Sequence, residues 1–299
     1  MITAIDTPTP TTLPPGLHRD ISFEDYLALD GINASTLKMF GQTPLHAKYK
    51  LDHPKDETAA LLNGHASHTA ILEPDKFEQL YACYPKTEYK EKYGHPSSNK
   101  YKAAKMAWYA EHDGACILDD DQWHNALDIA KAVHRHPVAR QLLYDGRGLN
   151  ELTGISTVES KHGEHQTKFR LDRLTEFRGR PCIVDLKNCA PKGGVLNDRV
   201  VSGAIARYGY HQQFAWYLDG LATLKPADRD VWLVFVEPEP PHDVVCYQLG
   251  EESIDLGRAL NTKALNQLAE GRATGHWPGF SDQPQHVQCP DWAFTEESQ

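Results

Sequence analysis

The stretch from Phe169 to Lys187, FRLDRLTEFRGRPCIVDLK, constrains the fold more than any other part of the chain. Thr167, Phe169 and Leu171 alternate with Lys168, Arg170 and Asp172, the period-two pattern of a strand with one covered face. Arg178, Gly179 and Arg180 read as a turn, and Pro181 to Lys187 as a second strand. Residues two apart in a strand share a face, so Asp185 and Lys187 point one way and Val184 and Leu186 the other. A hairpin-like return across the twelve intervening residues sets Asp172 beside them. Two carboxylates and an ammonium converging at the end of a sheet suit a hard cation such as magnesium, which takes oxygen ligands. The lysine would orient or deprotonate a water, or stabilise charge developing on a phosphate. Acid-x-Lys also occurs at Glu88-Tyr89-Lys90 and Glu159-Ser160-Lys161, so the tripeptide alone is a weak signal. A pair of surface strands with solvated charges is the competing reading. Only the copy at Asp185 ends an apolar β-type run with a second acid upstream.

The 299 residues suffice for one large domain or two small ones. A content of 40% hydrophobic and 24% charged residues describes an ordinary globular chain. No apolar run approaches the roughly 18 residues of a membrane span, and the N-terminus lacks a basic-then-apolar signal segment. A cytoplasmic location is the expectation. Cys83, Cys116, Cys182, Cys189, Cys246 and Cys289 are scattered with no CxxC pair, which argues against a disulfide framework or a zinc site. The net charge of -10 argues against a nonspecific polycation. It leaves nucleic acid open, because a local basic groove can be offset elsewhere.

Residues 1–17 are rich in Thr and Pro and read as a flexible arm before one domain over 18–299. Its first part, 18–148, reads as mainly helical, and 149–299 as a sheet core with C-terminal helices. Ser22, Asn33 or Ser35, and Thr43-Pro44 offer successive helix starts. A stronger helix over about Thr58–Leu72 puts Leu61, His65, His68 and Leu72 on one face. Two histidines on an apolar face are most simply core groups with hydrogen-bonded partners. From Tyr81 to Lys105 lysine and tyrosine interleave, including Lys90 and Lys92. That suits a phosphate backbone, with a solvated loop and amphipathic helix as the alternative. Further elements are a strand at Cys116–Leu118, helices starting near Asp119 and over Pro137–Tyr144, and a strand over Glu151–Val158. One long helix over about Ser202–Leu224 would put Gln213 and Tyr217 on one face. Strands at Val231–Val236 and Asp243–Gln248 and a helix over about Ser253–Ala269 complete the reading. Trp277-Pro278 and Pro290-Asp291-Trp292 look like aromatic plugs docking the C-terminus.

In order, a helix bears His68, strands bear Asp172 and Asp185-Leu186-Lys187, and a helix bears Gln213 and Tyr217. Around them stand Ile21-Ser22-Phe23-Glu24-Asp25-Tyr26 with Gly31-Ile32 and Leu37, and Gly64-His65-Ala66-Ser67-His68 leading to Leu72-Glu73-Pro74. Arg170-Leu171-Asp172, Tyr210-His211-Gln212-Gln213 and Trp277-Pro278 complete the set. This resembles the PD-(D/E)XK nuclease fold in its RecB-like branch, and within it the C-terminal nuclease domain of RecE (exonuclease VIII) and its phage relatives, over roughly residues 18–295. The resemblance implies an α/β fold, a central mixed sheet flanked by helices, with a helical N-terminal portion. It implies that Asp172, Asp185, His68 and the Leu186 carbonyl hold Mg²⁺, with Mn²⁺ able to substitute and Glu151 as a further acid. Lys187 would activate or position water, and Gln213 and Tyr217 would support the site and touch DNA. His65 stands where relatives tend to carry a small hydroxyl residue. Some relatives hold an iron–sulfur cluster on C-terminal cysteines; here only Cys289 lies there, so no iron–sulfur cluster is expected.

The activity so implied is 5′→3′ digestion of linear double-stranded DNA from its ends. It leaves 3′ single strands for a RecT-type annealing partner, from a homo-oligomeric ring of three or four chains. Lys168, Arg170, Arg173, Lys192, Lys90 and Lys92 are expected to line the DNA groove. Two alternatives stand beside this. One is another nuclease of the same fold, such as a structure-specific endonuclease or a CRISPR-associated nuclease. The other is a DNA-end-binding scaffold without catalysis.

Overall fold

The computed structural model describes residues 12–54, 59–191 and 194–294. Residues 1–11, most of the expected arm, lie outside these. Gly16 and Leu17, expected in the arm, belong to strand β1 (Gly16–His18) of the main sheet. Helices α1 (Phe23–Ala28), α2 (Ala34–Lys38) and α3 (Pro44–Asp52) follow. Ser22, Asn33 and Thr43 cap them, each side-chain oxygen accepting from a backbone N–H of the first turn. Then come α4 (Ala59–Leu72), α5 (Pro74–Leu80), β2 (Tyr81–Tyr84), α6 (Lys86–Tyr93), α7 (Asn99–Glu111), β3 (Cys116–Asp119), α8 (Asp120–Arg135) and α9 (Pro137–Leu143). Asp119 and Gln122 form a reciprocal capping box at the start of α8.

The second half holds β4 (Leu149–Ser160), β5 (Gly163–Phe177), β6 (Arg180–Asn188), α10 (Asp198–Tyr208), α11 (Tyr210–Leu224), β7 (Asp230–Val236), β8 (Val244–Gln248) and α12 (Glu251–Thr274). The main sheet has the order β1-β4-β5-β6-β7-β8, antiparallel except for the parallel pair β6/β7. A separate parallel pair joins β2 and β3. The expected turn is two residues long: Arg178 and Gly179 both have positive φ, 53° and 79°, and Arg180 already belongs to β6. Positive φ at both turn positions matches the twist of the flanking strands. The expected single helix over 202–224 is two helices, because Gly209 takes a left-handed φ of 64° between α10 and α11. Among the described residues no helix is long and apolar enough to cross a membrane.

The alternation in β6 sorts side chains into two layers. Cys182, Val184 and Leu186 pack with Ile71, Ile129, Val133 and Leu142 beneath α4, α8 and α9. On the other face Ile183 joins Phe169, Leu171, Trp216, Leu221 and Leu268 beneath α11 and α12. The Phe169 ring sits between two glycines. A Cβ at Gly154 would lie 2.1 Å from it, and one at Gly220 2.5 Å. Trp277 meets the end of this layer, 6.4 Å from the Phe40 ring, and the Leu45 N–H donates to the Pro278 carbonyl (3.1 Å). The side chain of the other expected plug, Trp292, lies outside the described residues, as does that of Leu61.

β5 pairs with β6 only from Arg173↔Val184 to Phe177↔Arg180. Beyond Arg173 the two strands part. The freed edge of β5 receives the chain after α1: the Ile32 N–H donates to the Gln166 carbonyl, and the Lys168 N–H donates to the Ile32 carbonyl (both 2.9 Å). The fork where β5 leaves β6 is where Asp172 and Asp185 face each other across the missing pair.

Candidate active site

At the fork the Leu186 N–H has lost its strand partner, and Asp172 takes its place. The Leu186 N–H donates to Asp172 Oδ2 at 2.8 Å. One edge of the carboxylate is thus fixed by backbone, and its other oxygen stays available. Ligand atoms of His68, Glu151 and Asp172 all lie within 4.8 Å of one another. His68 Nδ1 is 3.7 Å from Asp172 Oδ2.

Two asparagines hold α4 over this point. Asn188 at the end of β6 donates to Ser67 Oγ (3.0 Å), and Asn150 at the start of β4 donates to the Leu72 carbonyl (2.6 Å). His68 lies between these anchors. His65, three residues earlier, packs edge-on against Phe23 at 5.1 Å. Glu151 stands opposite Asp172, between the ladder pairs Asn150↔Arg173 and Leu152↔Leu171, and is itself unpaired there. Its φ is 50°, left-handed for a residue with a Cβ, at a cost of about 1–3 kcal/mol. Arg170 Nε donates to Glu151 Oε2 at 2.6 Å and steadies the side chain. Burial, and then the Asp172 charge, push the Glu151 carboxyl up to about 7. Burial and the second carboxylate outweigh the Arg170 ion pair in this balance. Two convergent carboxylates and an imidazole, with charge to spare, fit a divalent cation.

Asp185 lies one step deeper and is fully buried. Lys187 forms an ion pair with it, and Gln213 Nε2 donates to Asp185 Oδ1 at 3.3 Å. Among the described residues the convergent cluster comprises His68, Glu151 and Asp172, while Asp185, also expected among the ligands, is paired with Lys187 and Gln213. Asp185 instead anchors Lys187 and Gln213. Burial and the nearby Asp172 raise its carboxyl above the ordinary range. Burial alone would lower the Lys187 ammonium, but Asp185 and Asp172 outweigh it and the net direction is upward. The ion pair with Asp185 favours the charged form of Lys187, which can donate to an anion. Leu186 serves this arrangement through its N–H.

Gln213 is held at both ends of its amide. Lys38 Nζ donates to its Oε1 (3.1 Å), and its Nε2 donates to the Tyr217 hydroxyl (3.0 Å) as well as to Asp185. Burial holds the Tyr217 phenol well above its ordinary range, so it stays a neutral hydroxyl. Tyr210 opens α11 and offers its ring to two ammonium groups, Lys187 at 5.1 Å and Lys38 at 5.7 Å from the centroid. Lys38 and Tyr210 were not among the expected site residues. Lys38 ends a five-residue helix, and nothing local marks it as meeting Gln213 on α11, 175 residues on.

The groove expectation fails for two basic residues. Lys168 is 5% exposed, and its Nζ donates to the carbonyls of Tyr26, Leu27 and Leu29 at 3.0, 3.0 and 2.6 Å, closing the end of α1. Arg173 is equally buried and donates to Asn150 Oδ1 (2.7 Å) and the Asp145 carbonyl (3.1 Å). Arg170 is committed to Glu151 and the Ile21 carbonyl. Lys90 and Lys92 are exposed on α6, and Lys192 lies outside the described residues. The tyrosines interleaved with those lysines are not free to stack on bases as a set. Tyr84, Tyr101 and Trp108 form a buried cluster with Tyr89 and Tyr93 against it.

Comparison with known proteins follows the same outline. A family model described as a PDDEXK-like domain of unknown function (DUF3799) matches residues 33–289. No curated protein matches the sequence. The chain is similar in structure to an exonuclease candidate from Eubacterium rectale, with a TM-score of 0.54 and 14% identity, covering 90% of this chain and 93% of the other. At that identity the likeness speaks for the fold. A second structure, SSO0001, covers 69% of this chain and 85% of its own at 11% identity, with a TM-score of 0.29, and carries no argument.

Proposed function

The chain belongs to the PDDEXK-like family DUF3799, and on that premise we propose that it is a metal-dependent deoxyribonuclease. Its reaction would be 5′→3′ digestion of linear double-stranded DNA with Mg²⁺, leaving 3′ single-stranded tails for recombination by strand annealing. The observation that carries this reading is the convergence of His68, Glu151 and Asp172 within 4.8 Å beside the charged Lys187. The exonuclease description of the Eubacterium rectale neighbour favours the choice of DNA ends as substrate. The Asp185 carboxylate and the Leu186 carbonyl would be further ligands, as the resemblance to RecB-like nucleases implies.

His68, Glu151 and Asp172 would hold the cation. Bound there, a divalent ion supplies Lewis acidity and a water of lowered pKa. The chain's own groups do the rest. Lys187, kept protonated by Asp185, lies where it can neutralise charge on a phosphate oxygen in the transition state. Gln213, fixed by Lys38, Tyr217 and Asp185, holds that carboxylate's other oxygen and so limits how Lys187 can turn. Arg170 offsets part of the acid excess without entering the cleft. In the cell the products would pass to a RecT-type partner, and the working form would be a ring of three or four chains.

The test is digestion of linear duplex labelled at the 5′ or the 3′ end, in magnesium and in EDTA, with Asp172→Asn alongside. Magnesium-dependent loss of the 5′ label first, absent in the variant, is the expected result. Loss of the 3′ label first would reverse the polarity. Cutting of covalently closed circles would replace the reading with an endonuclease of the same fold. DNA-end binding with no cleavage in any divalent metal would leave a scaffold.

A further inference from the structure

We propose that Lys38 binds a second phosphate of the DNA strand, next to the one being cut, and is a substrate-contacting residue of this site. The inference rests on the nuclease reading above. The two lysines away from the main ion pair, Lys168 buried and Lys38 half-buried, differ in how their donors are used. Lys168 places its three N–H bonds on three carbonyls and is complete. Lys38 makes one hydrogen bond, to Gln213 Oε1, and forms no ion pair among the described residues. Two donors of a partly buried ammonium are therefore left over.

Its surroundings favour an anion as their partner. Lys38 and Lys187 approach the same Tyr210 ring. Lys187 is neutralised by Asp185, whereas Lys38 is not. Burial and then the Lys187 charge lower the Lys38 ammonium to about 8, and an incoming phosphate would restore it. The stem of Lys38 runs past the break between α10 and α11, where a Cβ on Gly209 would come within 3.3 Å of its Cδ and 3.4 Å of its Cγ. A continuous helix with a side chain at that position would crowd the path. A purely structural role, orienting the Gln213 amide, would need only the bond already present.

The experiment measures affinity for a fluorescent linear duplex in calcium across a potassium chloride series, and kcat and KM for its digestion in magnesium. Wild type, Lys38→Met and Lys38→Arg are compared, with thermal melts to establish folding. Lys38→Met should bind about tenfold more weakly, with the slope of log K against log salt smaller by about 0.7–0.9, and its KM should rise. Lys38→Arg should recover most of the affinity and the slope. Wild-type affinity and slope in Lys38→Met, with kcat alone reduced, would overturn the phosphate role and leave Lys38 as a support for Gln213. If Lys38→Met fails to fold, Lys38→Gln takes its place, and wild-type affinity and salt slope in that variant overturn the proposal. Absence of DNA binding by the wild type would remove the nuclease reading itself, and this inference with it.

Discussion

At Glu151 a carboxylate sits on a left-handed backbone, beside Asp172 and largely out of water. Its folded-state pKa of about 7 lies above the ordinary 4.5. The folded protein then holds a proton that the unfolded chain releases, so stability falls as pH rises from about 4.5 to about 7 and the deficit is complete above 7. Glu151→Gln in EDTA should therefore be more stable than wild type at pH 8, by up to about 3 kcal/mol, with the difference shrinking as pH falls toward 4.5. The same variant should lose stabilisation by magnesium. Melting curves at two pH values with and without the metal check both statements; a lower melting point at pH 8 would contradict the first. Lys187→Met makes the opposite demand. It leaves Asp185 buried without its counter-ion, and should cost about 3 kcal/mol as well as cleavage, measurable by urea unfolding. The acid pair and Lys187 were legible in the sequence because a period-two strand assigns faces. Lys168 and Arg173 were misread for a related reason: alternation says which side a residue points to, but not whether another segment covers that side. The chain after α1 covers Lys168, and the Asp145–Asn150 approach to β4 covers Arg173.

Among the elements, α11 is the one that presses closest on the sheet. Gly154 on β4 and Gly220 on α11 face the Phe169 ring from two sides, so neither position has room for a methyl group. Gly220→Ala should destabilise by about 1–3 kcal/mol through overpacking. Combining it with Phe169→Leu should recover part of the loss, whereas additive losses in chemical unfolding would show that the ring is not the cause. The hairpin β5–β6 and the strand β7 could be read from their apolar runs. The division between α10 and α11 could not, since Gly209 sits in a segment helical on both sides and only its φ of 64° marks the break. The Lys–Tyr stretch was ambiguous because composition does not distinguish rings packed on each other from rings offered to bases. Here Tyr84, Trp108 and Tyr101 chose each other.

For the whole molecule, the net charge of -10 sets a condition on any DNA complex. The polyanion must be met by metal and by few lysines, so binding should be far stronger in calcium than in EDTA, which a titration of labelled duplex would show. The proposed ring predicts a light-scattering mass three or four times 33.6 kDa; a monomer mass at micromolar concentration would remove it. Oligomeric state was not legible in the sequence, because the residues that would form such contacts look like any other surface.

The three carbonyls that receive Lys168 belong to Tyr26, Leu27 and Leu29, all upstream of residue 33, where the family match begins. A chain trimmed to the matched residues 33–289 would strip a buried ammonium of every acceptor while leaving Asp172, four residues along the same strand, apparently untouched. The outline that sequence similarity draws around this family is thus narrower than the unit that folds. An expression boundary set at residue 33 should give insoluble protein, and one set before Gly16 should not.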